Sequence, residues 1–190
     1  MAHIRKTASI TGRRLLLVNA SETDAQFIHA LRTDPVRTRF LSPVPPDVGA
    51  QVAWLRSYAR DATQAYFLIH AIETGEKLGM IRMHGARGDA FSWGSWLLKA
   101  GAPAYCAIES LLMVYSYGLW LGFRSTYFKV YRNNPSARFH KNFGARLVSE
   151  QNGELHYVLS FDALNAGLEK YRRYLPDGIR VDCGESLGRG

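Results

Sequence analysis

Short apolar runs separated by turn residues recur along the chain and predict a sheet. Strands are predicted at 14–18, 66–72, 77–84, 90–98, 126–131, 146–149 and 154–161. Turn residues support two hairpins, one across Glu73 to Glu76 and one across Asn152-Gly153. Asn-Gly is the dipeptide that two-residue hairpin turns favour most, so the last two strands form the best-defined pair.

Apolar residues at helical spacing predict five helices between these strands. The first begins near Ser21 and stops at Asp34, which precedes a proline, and the second begins after Asp47. The others are predicted at 103–121, 135–143 and 164–174, and glycines directly after two of them are typical stops. The order β-α-α-β-β-β-α-β-α-β-β-α predicts an α/β (α+β) fold, in which helices flank a mixed, largely antiparallel sheet.

The composition fits one globular domain and narrows the choice of partners. The chain has 190 residues, of which 47% are hydrophobic, enough for a sizeable core. Its 24 lysines and arginines outnumber 16 acidic residues, and the resulting net charge of +8 suits anionic small ligands. The basic residues are scattered and form no nucleic-acid-binding motif, so a nucleic-acid partner is not indicated.

The sequence also indicates the compartment. No apolar run is long enough to span a bilayer, and residues 1–14 lack the apolar segment of a secretory signal. We therefore expect a cytoplasmic protein with no membrane partner. The two cysteines, Cys106 and Cys183, cannot build a disulfide framework, and without a C-x-x-C pair the sequence predicts no metal site.

Residues 133–145, with the sequence NNPSARFHKNFGA, resemble the acceptor-side motif of the GNAT superfamily of acetyltransferases. The positions that match in register are Asn133, Ser136, Arg138, His140, Phe143 and Gly144. Residues 77–81 and 94–97 also match family strands, and residues 25–41 resemble the subgroup that acetylates ribosomal-protein N-termini, spermidine and amino sugars. The resemblance divides the chain into an N-terminal extension (1–12), a GNAT-like domain with splayed central strands (13–162), and a C-terminal helix with a flexible, Gly-rich tail (163–190).

The resemblance implies acetyl-CoA as co-substrate. In the family, the strands corresponding to 90–98 and 126–131 splay apart, and pantetheine lies in the gap against the backbone of the first of them. The pyrophosphate lies at the N-terminus of the next helix, where free N–H groups and the helix dipole favour anions. The expected cofactor contacts are Trp96, Leu97, Leu98, Ala104, Tyr105, Cys106, Ala107, Asn133, Ser136 and Arg138. Helix capping is an alternative role for Asn133.

The expected pyrophosphate loop departs from the family pattern. Tyr105 stands where the family has a glycine, which lets phosphate approach the backbone closely. Pro103 also removes one N–H donor. A helix start that binds no ligand therefore remains the alternative.

Three residues are candidates for proton transfer. Ser92 stands where the family often has a glutamate base; serine is no free base at neutral pH but can order a water that relays the proton. His84 is a second candidate base, because the pKa of histidine lies near neutrality, or else a surface residue at a strand end. His140 stands where the family usually has the tyrosine that protonates the departing thiolate, and histidine can also do this, or else it packs in the core.

The sequence leaves three hypotheses about function. The first is an N-acetyltransferase that moves the acetyl group directly from acetyl-CoA to a primary amine. A nucleotide-linked amino sugar is the preferred acceptor, because residues 139–144 and 171–176 resemble amino-sugar members. A protein N-terminus or a polyamine comes next, although a polyamine would favour an acidic pocket and this chain is basic. The second is a non-catalytic GNAT-fold module that binds CoA, a nucleotide or a protein. The third is a basic RNA-associated factor. The family often forms homodimers, and no residue of this chain by itself indicates one.

Overall fold

The computed structural model describes residues 2–184, and within them five helices flank a nine-stranded sheet. The strands are β1 (Ser9–Thr11), β2 (Leu15–Asn19), β3 (Ala65–Ala71), β4 (Lys77–Arg87), β5 (Ala90–Leu98), β6 (Ser125–Tyr131), β7 (Arg146–Gln151), β8 (Glu154–Leu159) and β9 (Arg180–Asp182). The helices are α1 (Ala25–Thr33), α2 (Val48–Arg60), α3 (Tyr105–Trp120), α4 (Ser136–Phe143) and α5 (Phe161–Lys170). The predicted fold class is confirmed.

The strand order places one parallel pair inside an otherwise antiparallel sheet. The order is β7-β8-β6-β5-β4-β3-β2-β1-β9, and β5 and β6 run parallel. Their pairing extends only from Ala90 and Ser125 to Ser92 and Tyr127. Beyond Ser92 the two strands separate, so the predicted splay of the central strands is confirmed.

A bulge in β5 accompanies this separation. The register between β4 and β5 shifts between Met80 and Arg82, where Ser95 and Trp96 together lie opposite one residue of β4. Ser95 has a φ of 46°, in the left-handed region that residues other than glycine seldom adopt. A bulge re-aims the side chains of its strand, and this one turns Ser95 toward α1, where its hydroxyl accepts a hydrogen bond from Arg32 at 3.2 Å.

Helix α3 covers one face of the sheet, and its central residues, 111–115, are fully buried. A helix that is covered on nearly every side needs this continuous apolar surface. Glu109 is buried near its start, and its carboxylate accepts the backbone N–H groups of Arg14 at 2.7 Å and Leu15 at 3.0 Å. These two bonds satisfy the buried carboxylate and join α3 to the start of β2.

Helices α1 and α2 cover the opposite face. Ile28 and Leu31 of α1 and Leu55 of α2 form a second apolar cluster with the side chains of β3 and β4 that point to this face, among them Tyr66 and Met80. Because successive strand residues alternate between faces, Phe67 belongs to the α3 side while its neighbour Tyr66 belongs to the α1–α2 side.

Three details of the terminal segments differ from the sequence prediction. The hydrophobic pattern predicts neither β1 nor β9, because a run of three residues is too short to establish a period of two. β1 pairs with both β2 and β9, and its Ile10 is fully buried. Helix α5 begins at Phe161 rather than Leu164, because the Ser160 side chain accepts the Ala163 N–H at 3.3 Å and caps the helix earlier.

The proposed division of the chain into 1–12, 13–162 and 163–190 remains a prediction. Strand β1 lies in the first segment and β9 in the third, and both belong to the same sheet. The Gly-rich end of the predicted flexible tail lies, apart from Gly184, outside the described residues. From residue 2 to residue 184, none of the helices is both long and apolar enough to cross a membrane.

Candidate active site

The separation of β5 from β6 opens a cavity of about 920 Å³. On the α3 face its wall includes His140 of α4 together with Trp93 and Phe128. On the α1–α2 face its wall includes Arg32 of α1 and Trp54 of α2. The gap between the strands therefore connects the two faces of the sheet within one concave site, the usual form of a small-molecule site.

Three polar side chains lie side by side where the strands begin to diverge. His84 of β4 pairs with Ser92 of β5, and Ser92 pairs with Tyr127 of β6. The Tyr127 hydroxyl donates to the Gly85 carbonyl at 2.6 Å, and Gly85 has a φ of +63° that suits glycine. The structure thus brings two predicted proton-transfer residues, His84 and Ser92, to the cavity wall on one face.

His140 lies on the opposite face, enclosed by aromatic rings. Its ring centroid is 4.7 Å from that of Phe128, 5.2 Å from that of Trp93 and 5.5 Å from that of Phe139. The side chain is fully buried, and neither ring nitrogen has a hydrogen-bond partner among the described residues. Burial lowers the pKa of His140 to about 4, so at neutral pH the ring is uncharged and carries one N–H.

His84 is also neutral at physiological pH. Its partial burial, and to a smaller extent the positive charge of Arg82, lower the pKa of His84 to about 4. An uncharged imidazole offers one nitrogen that can accept a proton. Neither histidine is therefore positively charged at pH 7. The predicted acid role of His140 would depend on the single N–H of its neutral ring.

The three predicted contacts on β5 have different environments. Trp96 lines the cavity, and its Nε1 donates to the Ser110 hydroxyl of α3 at 3.2 Å. Leu97 is buried on the α1–α2 face. Leu98 packs partly buried on the α3 side, and its carbonyl accepts from Arg37 at 2.8 Å. The backbones of Leu97 and Leu98 pair with β4 on one edge of β5, while the other edge of all three residues lies beyond the end of the β6 pairing.

The predicted pyrophosphate residues lie at the first turn of α3. Ala104 is exposed, and Tyr105 lies half-buried beneath the Arg14 guanidinium, 4.7 Å from the ring centroid. Cys106 is fully buried, and its N–H already donates to the Pro103 carbonyl at 2.9 Å. Ala107 follows, half-buried, in the same turn.

A smaller cavity of about 230 Å³ adjoins this turn. It is lined by Tyr105 and Glu109 of α3 and by Tyr174 and three arginines, Arg13, Arg14 and Arg173. The helix start and these arginines are suited to an anion, and in that respect they fit the pyrophosphate of CoA despite the altered loop.

The motif residues of α4 separate into two groups. Ser136 lines the cavity together with Asn134, whose side-chain oxygen accepts the Ser136 N–H at 3.0 Å. Asn133 and Arg138 are exposed outside the cavity wall. The capping alternative for Asn133 is wrong, because the hydrogen bond at the start of α4 comes from its neighbour, Asn134.

Two arginines that the sequence analysis did not single out enter the cavity, Arg32 and Arg82. With Arg87 and Lys129 they make the lining cationic; its carboxylate, Glu154, is paired with Lys129 at 2.9 Å. Arg82 interrupts an otherwise largely buried apolar strand. That exception is the signal in the sequence from which its role at a site is predictable.

Comparison with known proteins gives the same fold. A family model described as an acetyltransferase (GNAT) domain matches residues 14–146. The solved structure of apo FdhC, described as a nucleotide-linked sugar GNAT, is 28% identical, has a TM-score of 0.79, and covers 90% of this chain and 99% of its own. No curated protein matches the chain significantly.

Two further solved structures share the fold at lower identity. RimJ of Mycobacterium smegmatis, in complex with CoA-disulfide, is 16% identical with a TM-score of 0.68, and the match covers 86% of this chain and 95% of RimJ. A probable GNAT-family acetyltransferase from Chromobacterium violaceum is also 16% identical, with a TM-score of 0.74 over 87% of this chain and 92% of its own. The family match and the architecture together lead to one conclusion: the chain belongs to the GNAT acetyltransferase family.

Proposed function

We propose that the protein is an acetyl-CoA-dependent N-acetyltransferase whose acceptor is a primary amine on a nucleotide-linked sugar. The observation that carries the proposal is the cavity at the β5–β6 splay, which connects proton-accepting side chains on one face with a buried N–H donor on the other. Family membership supports acetyl transfer in general.

The residues of β5 and α3 supply the expected donor site. When bound, acetyl-CoA supplies the acetyl group as a reactive thioester. The backbone of Trp96 to Leu98 offers hydrogen-bonding groups along the open edge of β5, and the first turn of α3 with its adjacent arginines attracts phosphate.

The row of His84, Ser92 and Tyr127 receives the acceptor amine. The neutral His84 ring is available to accept the proton that the amine loses, either directly or through a water held by Ser92. On the other face His140 keeps one N–H inside its aromatic enclosure at the cavity wall, and this N–H is the proposed hydrogen-bond donor for the departing sulfur. The thiolate then takes its proton from solvent.

The charge of the cavity supports an anionic acceptor. Arg32, Arg82 and Arg87 have no partner carboxylate in the cavity wall, while Lys129 is paired with Glu154. A phosphorylated acceptor suits such a surface, and a polyamine does not. The likeness to FdhC, a nucleotide-linked sugar GNAT, supports the same choice. A protein N-terminus is the next candidate acceptor.

An acetyl-transfer assay with three acceptors tests the proposal. With acetyl-CoA as donor, a UDP-linked amino sugar should give a kcat/KM at least tenfold above that of a peptide N-terminus, and spermidine should give the lowest value. A higher value for the peptide would move the proposal to protein N-termini. His84→Ala should lower the rate for every acceptor while leaving acetyl-CoA binding intact.

A non-catalytic binding module is the second candidate, favoured by the altered start of α3, where Pro103 and Tyr105 replace residues of the family loop. Titration calorimetry with acetyl-CoA, and with CoA as control, separates the two. Micromolar binding together with transfer supports the enzyme. Absence of binding at millimolar acetyl-CoA, or binding without transfer to any of the three acceptors, would support the module instead.

A further inference from the structure

Two guanidinium groups lie in the α1–α2 half of the cavity with only neutral partners. Arg32, in the last turn of α1, donates to the Ser95 hydroxyl at 3.2 Å and to the Ser42 carbonyl at 2.9 Å. Arg82 of β4 donates to the Gln64 side-chain oxygen at 3.3 Å. The Nε atoms of both arginines are buried and have no hydrogen-bond partner among the described residues.

The surrounding groups leave this pair largely uncompensated. Asp61 accepts a hydrogen bond from the Gln64 side chain and favours the charged form of Arg82, but it is the weakest influence, and the pKa of Arg82 is still lowered, chiefly by burial. The carboxylate in the cavity lining, Glu154, is already paired with Lys129 at 2.9 Å. Tyr66 lies beside the pair, but burial raises its pKa to about 12, so its hydroxyl stays protonated and uncharged. Like charges in a partly buried position are unfavourable unless an anion compensates them, and so the pair favours binding of an anion.

Aromatic residues fix the position of Arg82. Its guanidinium carbon is 5.8 Å from the ring centroid of Trp54, and Trp54 meets Tyr66 edge to face at 5.5 Å. Arg32 is fixed instead by Ser95 and the loop before α2. Because both side chains are held by neighbouring groups, little conformational freedom remains to be lost when a ligand binds.

The pair is close to the proposed reaction site. Arg82 and His84 lie two residues apart on β4 and therefore on one face. Ser95, which holds Arg32, follows Gly94, the β5 residue that pairs with Arg82. An anion held by the two arginines thus lies beside the row that receives the acceptor amine, on the face opposite His140.

We propose that Arg32 and Arg82 bind the diphosphate of the acceptor and so select a nucleotide-linked amine. This inference rests on the proposed function and assigns its specificity to two residues. A diphosphate matches the pair in charge, and the planar guanidinium group presents N–H donors in a fork that matches phosphate oxygens.

Calorimetry of UDP and of acetyl-CoA on the same full-length variants tests the site. UDP is titrated into protein saturated with CoA, so that a diphosphate site belonging to the cofactor is already occupied. Arg32→Gln and Arg82→Gln should each raise the Kd for UDP at least tenfold and leave the Kd for acetyl-CoA within twofold. Arg82→Lys, which keeps the charge but loses the fork, should give an intermediate Kd.

The matched control is Arg56→Gln, which removes one positive charge from the exposed face of α2, where Arg56 pairs with Glu22 at 2.8 Å. It should leave the Kd for UDP within twofold. Circular dichroism melts of each variant confirm that the fold is intact before binding is compared.

The outcomes separate the two proposals. Unchanged UDP binding in both glutamine variants, or equal weakening of UDP and acetyl-CoA, would overturn the diphosphate site. Wild-type protein that binds acetyl-CoA but not UDP would overturn it as well, and would leave transfer to another primary amine standing. If the wild-type protein does not bind acetyl-CoA, the proposed function itself is contradicted.

Discussion

The two halves of the cavity differ in charge although they share strand β5. On the α3 face, His140 lies uncharged among aromatic rings, with Phe128 and Trp93 in contact. On the α1–α2 face, Arg32 and Arg82 are held by neutral partners. Side chains alternate between the two faces along β5, which keeps the two environments apart. The bulge at Ser95 interrupts this alternation, so that Ser95 contacts Arg32 on the α1–α2 face. One cavity therefore combines a neutral half lined by aromatic rings with a cationic half.

A charged side chain introduced into the neutral half of the cavity should have the largest effect on the stability of the protein. Phe128→Asp would bury a carboxylate between Trp93, His140 and Tyr157, and it should lower the free energy of unfolding by at least about 4 kcal/mol or prevent folding. Phe128→Leu, the control, should cost about 1–2 kcal/mol. Urea unfolding followed by circular dichroism measures both, and equal stabilities of the two variants would show that the Phe128 position tolerates a charge.

Low pH should destabilise the protein because His140, in the neutral half of the cavity, resists protonation in the folded state. The unfolded chain takes up a proton at His140 near pH 6.5, whereas burial lowers the folded pKa to about 4. Below pH 6.5 the unfolded state therefore binds more protons, and stability falls as the pH decreases. The contribution of His140 should be roughly 3 kcal/mol, lost between pH 6.5 and 4.

Urea unfolding across this pH range, on the wild type and on His140→Phe, measures that contribution. The variant should lose the His140 part of the slope and keep the part due to other groups, including the less buried His84. Identical slopes in the two proteins would contradict a neutral, buried His140.

His140→Phe also separates packing from chemistry. Because both ring nitrogens lack partners among the described residues, an apolar ring should leave the free energy of unfolding unchanged or increase it slightly. The rate of acetyl transfer should fall at least about tenfold, since the N–H donor is lost. Lys141→Gln, on the adjacent exposed residue of α4, should keep the rate within twofold. Full activity of His140→Phe would show that His140 contributes packing and not a hydrogen bond to the reaction.

The fold was largely predictable because its central elements are long and strongly patterned. The run 77–84 and the Asn152-Gly153 turn carry the two clearest signals, period and turn chemistry, and both elements form as predicted. Strands β1 and β9 were not predictable, because three residues establish no period and their pairing depends on chain ends distant in sequence.

Part of the site was predictable from the positions of residues in the predicted strands, because His84, Ser92 and Trp96 lie at the cavity wall. The acceptor-side motif places His140 and Ser136 at the cavity wall, but it gives no information on environment, which depends on rings from β5 and β6. Arg32 of α1 and Arg82 of β4 line the same part of the cavity although 50 residues separate them, and a single sequence contains no signal that the two lie near each other.

The smallest change in stability is expected for a substitution in the cationic half of the cavity. Without ligand, Arg82→Gln should change the free energy of unfolding by less than about 1 kcal/mol, because the lost hydrogen bond to Gln64 and the relieved repulsion from Arg32 offset each other.

Inorganic pyrophosphate should reveal the difference in anion binding between the wild type and Arg82→Gln as a difference in stability. If the variant binds the anion tenfold more weakly, pyrophosphate at 100 times the wild-type Kd should stabilise the wild type by about 1.3 kcal/mol more, roughly 3–5 °C in Tm. Arg56→Gln should respond like the wild type. Equal shifts in wild type and Arg82→Gln would place the anion elsewhere, for example among the arginines beside α3. The cationic half of the cavity would then differ from the neutral half in charge, but it would not be the anion-binding site.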